Sequence, residues 1–298
     1  MGTAIGEPGF LASYWTLAGD VLPRSPSQIS PHSFESRVRA AAQAGYTGLG
    51  LMNDDLAATT RRMGLSAMRR CLDDHGLRHL ELEFLGDWFA DSERRAASDR
   101  TRAELLAAAQ ALGARHIKIG GDRYGAHWPL AQLVDSFARL CEEAARHGTA
   151  IVLELLPWTQ LATPAQALPL LEQAQASNAG LLLDVWHLQR AGVPWSSLAA
   201  LPPRWVRAAE LSDAGPPEGD VWADTIHRRR LCGEGGFDLR GFIQALQATG
   251  FDGPWGIEII SDTHRTLPLS AAAQRAIDTA RQQFVQNASS QLRENAIR

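Results

Sequence analysis

Short runs rich in apolar and β-branched residues recur about every 25 to 50 positions along this chain, each followed by a stretch of helical period and polar turn signals. There are eight: Phe10–Trp15, Thr47–Leu51, His79–Leu85, Arg115–Gly120, Ala150–Leu156, Gly180–Val185, Val206–Leu211 and Trp255–Ile260. Helical patterns lie between them at 34–45, 100–113, 130–148 and 238–250, several closing on glycine, the usual C-terminal cap. Strand and helix alternating eight times is the pattern of an α/β protein folded as one (β/α)8 barrel, with parallel strands inside and helices outside. A doubly wound open sheet would want a glycine-rich phosphate loop after an early strand, and the first run leads instead into SYWTLAGD.

One barrel accounts for 298 residues as a single domain, with a core over about 9–286 and frayed ends at 1–8 and 287–298. The longest irregular piece, 213–237, is long enough to expect a functional loop after the seventh strand. A net charge of -4 argues against a nucleic-acid partner, which calls for a basic face. No stretch reaches the roughly 18 apolar residues of a membrane span, and the N-terminus has no signal-peptide pattern. Three cysteines, Cys71, Cys141 and Cys232, stand at neither metal-like nor disulfide-like spacing, which fits thiols in a cytoplasmic protein. Of the 29 basic residues 28 are arginine, so the one lysine, Lys118, marks a position that rejects a guanidinium.

In such a barrel the active site forms at the carboxyl ends of the strands, where alternate residues point inward. Four acids stand near that end of four successive strands: Glu154 in IVLELLPW, Asp184 in LLLDVWH, Glu210 in VRAAELSD and Glu258 in WGIEII. Ionised together in a partly buried pocket they would repel and be driven to protonate, and a divalent cation resolves the conflict. Oxygen-only ligands favour Mn²⁺ or Mg²⁺ over Zn²⁺. The metal ligands expected are therefore Glu154, Asp184, Glu210 and Glu258.

The order LELLPW, LLLDVWH, ELSD, RLCGEGGFDL and GPWGIEI, densest from 150 to 262, resembles the xylose-isomerase-like TIM barrel superfamily of sugar phosphate isomerases and epimerases. The resemblance implies metal ligation by the four acids, with Glu154 and Glu258 doubling as catalytic acid and base. It implies that His187 contacts substrate oxygen and that Arg230, matching the arginine of an R-x-x-G-x-G run, binds a hydroxyl, carboxylate or phosphate. Two positions depart from the pattern: Glu210 stands where histidine or glutamine is usual, and Cys232 where proline is common. Four carboxylates around M²⁺ are formally -2, so one is protonated, or Glu210 leaves the shell, or a nearby cation compensates, Lys118 being the candidate.

Glu81 and Glu83 share one face of the third strand, and His116 and Lys118 one face of the fourth; with the apolar faces against helices, these charges point into the barrel. Glu81 reads as part of an internal ion-pair layer, whereas Glu83 and Lys118, nearer the rim, suit structure or substrate contact equally. Six of nine tryptophans, Trp15, Trp88, Trp128, Trp158, Trp186 and Trp222, fall at strand ends or in the loops after them, where indoles stack on sugar or aromatic faces, Trp15 and Trp158 foremost.

The expected activity is a divalent-metal-dependent isomerase or epimerase of a small sugar-like polyhydroxy carbonyl compound, working by proton abstraction beside the carbonyl through an enediolate. A lyase on the same scaffold, a dehydratase or C-glycoside-cleaving enzyme, is the alternative; a non-catalytic carbohydrate-binding barrel is a third. Barrels often associate, so the segment after 286 is a candidate contributor to a homo-oligomer of undefined number.

Overall fold

The structure is a computed structural model that describes residues 8–284; of the expected frayed ends at 1–8 and 287–298, all but residue 8 lie outside them. Eight strands close into one parallel barrel in sequence order: β1 (Phe10–Ala12), β2 (Gly48–Met52), β3 (His79–Leu85), β4 (His116–Gly120), β5 (Ala150–Glu154), β6 (Ala179–Asp184), β7 (Val206–Leu211) and β8 (Trp255–Ile257). β8 pairs with β1 through Phe10 opposite Trp255 and Ala12 opposite Ile257, so no edge strand is left unpaired. Every strand falls within or next to one of the eight apolar runs, and the chain forms a single-domain (β/α)8 barrel.

Two opposite faces along each strand explain why the runs look as they do. Outward residues such as Leu80, Leu82, Ile117 and Ile119 are 0–1% exposed and pack under the helices. Burying each such side chain is worth about 1.5–3 kcal/mol, which drives the helical shell onto the barrel. Inside, Val152, Leu182 and Ala208 form a small apolar layer across β5, β6 and β7. Two residues further along the same strands, Glu154, Asp184 and Glu210 follow on the inward side, as the period of two requires.

The helices follow the patterns read from sequence with one extension. Phe34–Ala44 begins on Ser33, whose side chain accepts from Ser36 N, and ends on Gly45 at φ 93°, where a side chain would be strained. The helix expected from 100 starts at Ser92 and runs to Leu112. Its first turns, SERRAASD, lack an apolar stripe; an Arg95–Asp99 pair at 2.6 Å and a bond from Ser98 Oγ to Gly86 O at 2.7 Å hold them instead. The loop after β7 also carries a short helix, Val221–His227, capped by Asp220. Among the described residues no helix is long and apolar enough to cross a membrane.

Candidate active site

Asp184 ends β6 and at once caps the short helix Val185–Arg190: its Oδ1 accepts from Trp186 N at 2.6 Å and His187 N at 3.4 Å. The cap fixes the carboxylate and brings His187 to the same rim. There the His187 Nε2 lies 3.1 Å from Glu154 Oε1 at the end of β5 and 3.7 Å from Asp184 Oδ2. Glu258, one residue past β8, completes a group in which Glu154, Asp184, His187 and Glu258 each offer a ligand atom within 4.8 Å of the others, all four buried.

Arg229, 1% exposed, stands beside this group: its Nη1 donates to Asp184 Oδ2 at 2.7 Å and lies 3.0 Å from Glu258 Oε2. The Trp186 ring, 5.2 Å from its Cζ, and Thr225 Oγ1, which accepts at 3.1 Å, hold the guanidinium in place. Burial works against the Asp184 charge, but Arg229 and His187 outweigh it and hold that carboxyl below its usual range. Glu258 goes the other way: burial pushes it well up, and the Glu154 and Asp184 charges add to the rise against the pull of Arg229 and Lys118.

Lys118 lies deeper, at 0% exposure. Its ammonium meets Glu210 Oε1, lies 3.0 Å from Glu81 Oε1, and reaches Glu83 and Glu258 at 3.7 Å each. Burial opposes its charge, yet Glu210 and Glu81 keep its pKa well above the usual value. Ser13 Oγ donates to the same Glu210 oxygen at 2.5 Å, and His116 Nε2 sits 3.2 Å from Glu81 Oε2. Gly256 permits this layer, because a Cβ there would come 2.7 Å from Glu210 Cγ. Burial pushes Glu83 up to about 7, while for Glu81 Lys118 and His116 overcome burial and bring it down to about 2.

The expected residues thus separate. Glu154, Asp184 and Glu258 come together, but Glu210 lies outside their group, turned to Lys118 and Ser13, and His187 takes the fourth place. Glu83 accepts from Tyr14 N at 3.3 Å and joins Lys118 in the deeper layer. Arg230 points away: it is exposed, with Nη1 donating to Glu234 O at 3.1 Å. The inward arginine is its neighbour Arg229. Bridges from Arg228 to Ser261 and from Asp213 to Arg230 make this segment locally extended, so alternate side chains face opposite ways. Asp213 shapes the following turn by accepting from Ala214 N at 2.8 Å and from Gly233 N and Phe237 N at 3.0 Å each. Glycine is required at 235 because a Cβ would fall 2.2 Å from Asp213 Oδ1.

The tryptophans divide as well. Trp88, 1% exposed, packs against Phe89 and Phe137 in the core behind the strands, Trp186, 0% exposed, meets the His187 ring edge-on at 5.2 Å beneath Arg229, and Trp128 bonds Asp122 at 2.7 Å. Trp15 packs edge-on to Tyr14 at 5.1 Å beside Ile260. Trp158 meets the His187 ring edge-on at 5.6 Å, and Trp222 meets Trp158 at 5.0 Å.

The donor set fits a divalent cation. Three carboxylates face one guanidinium, a formal surplus of two negative charges among buried groups. Arg229 contacts Asp184 and Glu258, and His187 leaves its Nδ1 without a partner among the described residues. Glu154, Asp184, His187 and Glu258 would hold the ion.

A closed parallel barrel with buried carboxylates, a histidine and an arginine at the carboxyl ends of β5 to β8 defines a barrel enzyme class whose site can bind a metal. The chain belongs to the xylose isomerase-like TIM barrel family, whose profile matches residues 38–283. It is 32% identical over 244 residues, 80% of its length, to a 3-dehydroshikimate dehydratase of Pseudomonas aeruginosa. The chain spans 38% of the length of that relative. In structure it is similar to an IolI protein crystallised with a bound zinc atom, with TM-score 0.80 and 18% identity over 92% of this chain and 97% of the other. It is also similar to a D-allulose 3-epimerase from Methylomonas sp., with TM-score 0.71 and 19% identity over 93% and 98% of the two chains. At these identities the two structures speak for the fold alone.

Proposed function

We propose that the chain is a metal-dependent dehydratase of a cyclic hydroxy ketone acid, 3-dehydroshikimate or a close analogue. The observation that carries this reading over the isomerase is the 32% identity to a dehydratase across four-fifths of the chain, against likenesses to epimerases that reflect the barrel. The site supports it chemically. Elimination breaks a C–H bond beside the carbonyl and a C–O bond one carbon further, forms a C=C bond and releases water; it therefore needs one group to take a proton and one to give a proton. Glu154 and Glu258, buried on β5 and just after β8, supply that pair, with His187 against Glu154 and Arg229 against Glu258 to orient substrate oxygens.

When bound, a divalent cation supplies Lewis-acid polarisation of the carbonyl oxygen. Carboxylate-rich donors favour Mn²⁺ or Mg²⁺, and the imidazole tilts the choice to Mn²⁺. The three free cysteines accord with a cytoplasmic location.

The isomerase or epimerase reading uses the same proton abstraction and returns the proton to carbon rather than expelling a hydroxyl. Incubating the protein and Mn²⁺ with 3-dehydroshikimate and separately with ketoses distinguishes them by product mass. The proposal expects a 3,4-dihydroxybenzoate, lighter than its substrate by one water and then a tautomer shift to the aromatic ring. Conversion of a ketose to an isomer of equal mass, with 3-dehydroshikimate unchanged, contradicts it.

A further inference from the structure

Above the rim, the loops that follow β1, β4, β5 and β7 meet at one place. Trp158 stands on His187, Trp222 on Trp158, and the Arg24 guanidinium lies 3.8 Å above the Trp222 ring. Arg24 Nη2 donates to the main-chain oxygen of Arg123 at 3.4 Å, and the exposed Arg123 guanidinium lies 5.0 Å over the Tyr124 ring. Neither Arg24 nor Arg123 has a carboxylate partner among the described residues. Two like charges held together over aromatic faces without an acid are an arrangement that an anion relieves. Partial desolvation, followed by the charge of Arg123, lowers the Arg24 pKa. Arg24 also sits at φ 62°, a sparsely populated conformation for a side-chain-bearing residue.

We propose that Arg24, seated on Trp222 and seconded by Arg123, binds the ring carboxylate of the substrate while the ketone and hydroxyl end reaches Glu154, His187 and Glu258. This rests on the dehydratase reading and names the part of the molecule that reading leaves unassigned. The edge-to-face pair Trp158 and Trp222 forms the apolar side against which a flat ring lies between the two polar ends. Arginine suits the task because its planar fork matches a carboxylate with two parallel bonds and at the same time stacks on an indole.

The test is a binding measurement on the full chain with Mn²⁺, titrating 3,4-dihydroxybenzoate and its neutral amide, 3,4-dihydroxybenzamide, and following tryptophan fluorescence. The wild type is expected to bind the acid at least about tenfold more tightly than the amide. Arg24→Gln abolishes that preference by weakening the acid alone, Arg24→Lys retains part of it, and the unchanged amide affinity shows that the pocket is intact. Equal binding of acid and amide by the wild type, or a preference that survives Arg24→Gln, overturns the proposal. A preserved preference without turnover of 3-dehydroshikimate counts against the dehydratase reading alone.

Discussion

Lys118 and Arg229 are both cations buried among carboxylates inside one barrel, yet the two surroundings are built differently. Around Lys118, Glu81, Glu83, Glu210 and Glu258 converge on a charge tethered to β4, and Ser13 and His116 close the layer with further bonds. Around Arg229, Glu154, Asp184, His187 and Glu258 converge on a common point, and the guanidinium contacts that group from the side of Asp184 and Glu258. The deeper layer completes its balance with protons, burial holding Glu210 well above the carboxylate range and Glu83 at about 7. The rim keeps an imidazole and a tethered cation beside acids drawn from three different strand ends. The same residue types close on a lysine in one layer and leave a cluster of ligand atoms able to take a metal ion in the other.

Substitution separates the two regions. Glu258→Gln, at the rim, is expected to lower turnover by about a thousandfold or more while stability holds or rises, because a buried carboxyl is replaced by an amide. Lys118→Met, in the layer, does the reverse in kind: it leaves Glu81 and Glu210 without their cation and costs about 3–5 kcal/mol in urea unfolding. If Lys118→Met unfolds no more easily than Glu258→Gln, the distinction between the regions fails. The adjacent arginines give a finer contrast. Arg229→Gln is expected to reduce kcat/KM by about a hundredfold and Arg230→Gln by less than about twofold, since only the first meets Asp184 and Glu258.

The smallest effect lies in pH. Glu83 and Glu81 share a strand and titrate oppositely. Glu83 rises from 4.5 to about 7, so between those values the unfolded chain releases a proton that the folded protein keeps, and stability falls as pH rises through that window. Glu83→Gln removes this decline and should gain on the wild type by about 2–3 kcal/mol from pH 4.5 to 7, read from thermal melts across pH. Glu81 is held at about 2, so its contribution is present above 4.5 and is lost as pH falls toward 2. A melting difference between Glu83→Gln and wild type that stays flat from pH 4.5 to 7 removes Glu83 from the buried layer.

Much of this was legible in the sequence, and what was not has a geometric cause. All eight strands and the inward charge of Glu81, Glu83, His116 and Lys118 follow from periods of two that a sequence displays directly. The direction each acid takes does not. Glu210 lies level with Asp184, yet Asp184 joins Glu154, His187 and Glu258 while Glu210 turns to Lys118 and Ser13. Choosing among Arg228, Arg229 and Arg230 likewise needs the pairings to Asp213 and Ser261, which lie outside the regular strands. Trp88 occupies a strand end as Trp158 does, and only the turn of the chain after its strand sends its ring into the core against Phe89 and Phe137. Arg24 lacks any sequence signal, since its role depends on loops brought together from four parts of the chain.

The most direct measurement is the metal stoichiometry of the protein, loaded with Mn²⁺ and dialysed, beside its Asp184→Asn and Glu210→Gln variants. The account predicts one equivalent in the wild type, retention in Glu210→Gln and loss in Asp184→Asn. Retention in Asp184→Asn with loss in Glu210→Gln would place the ion in the lysine layer and contradict it.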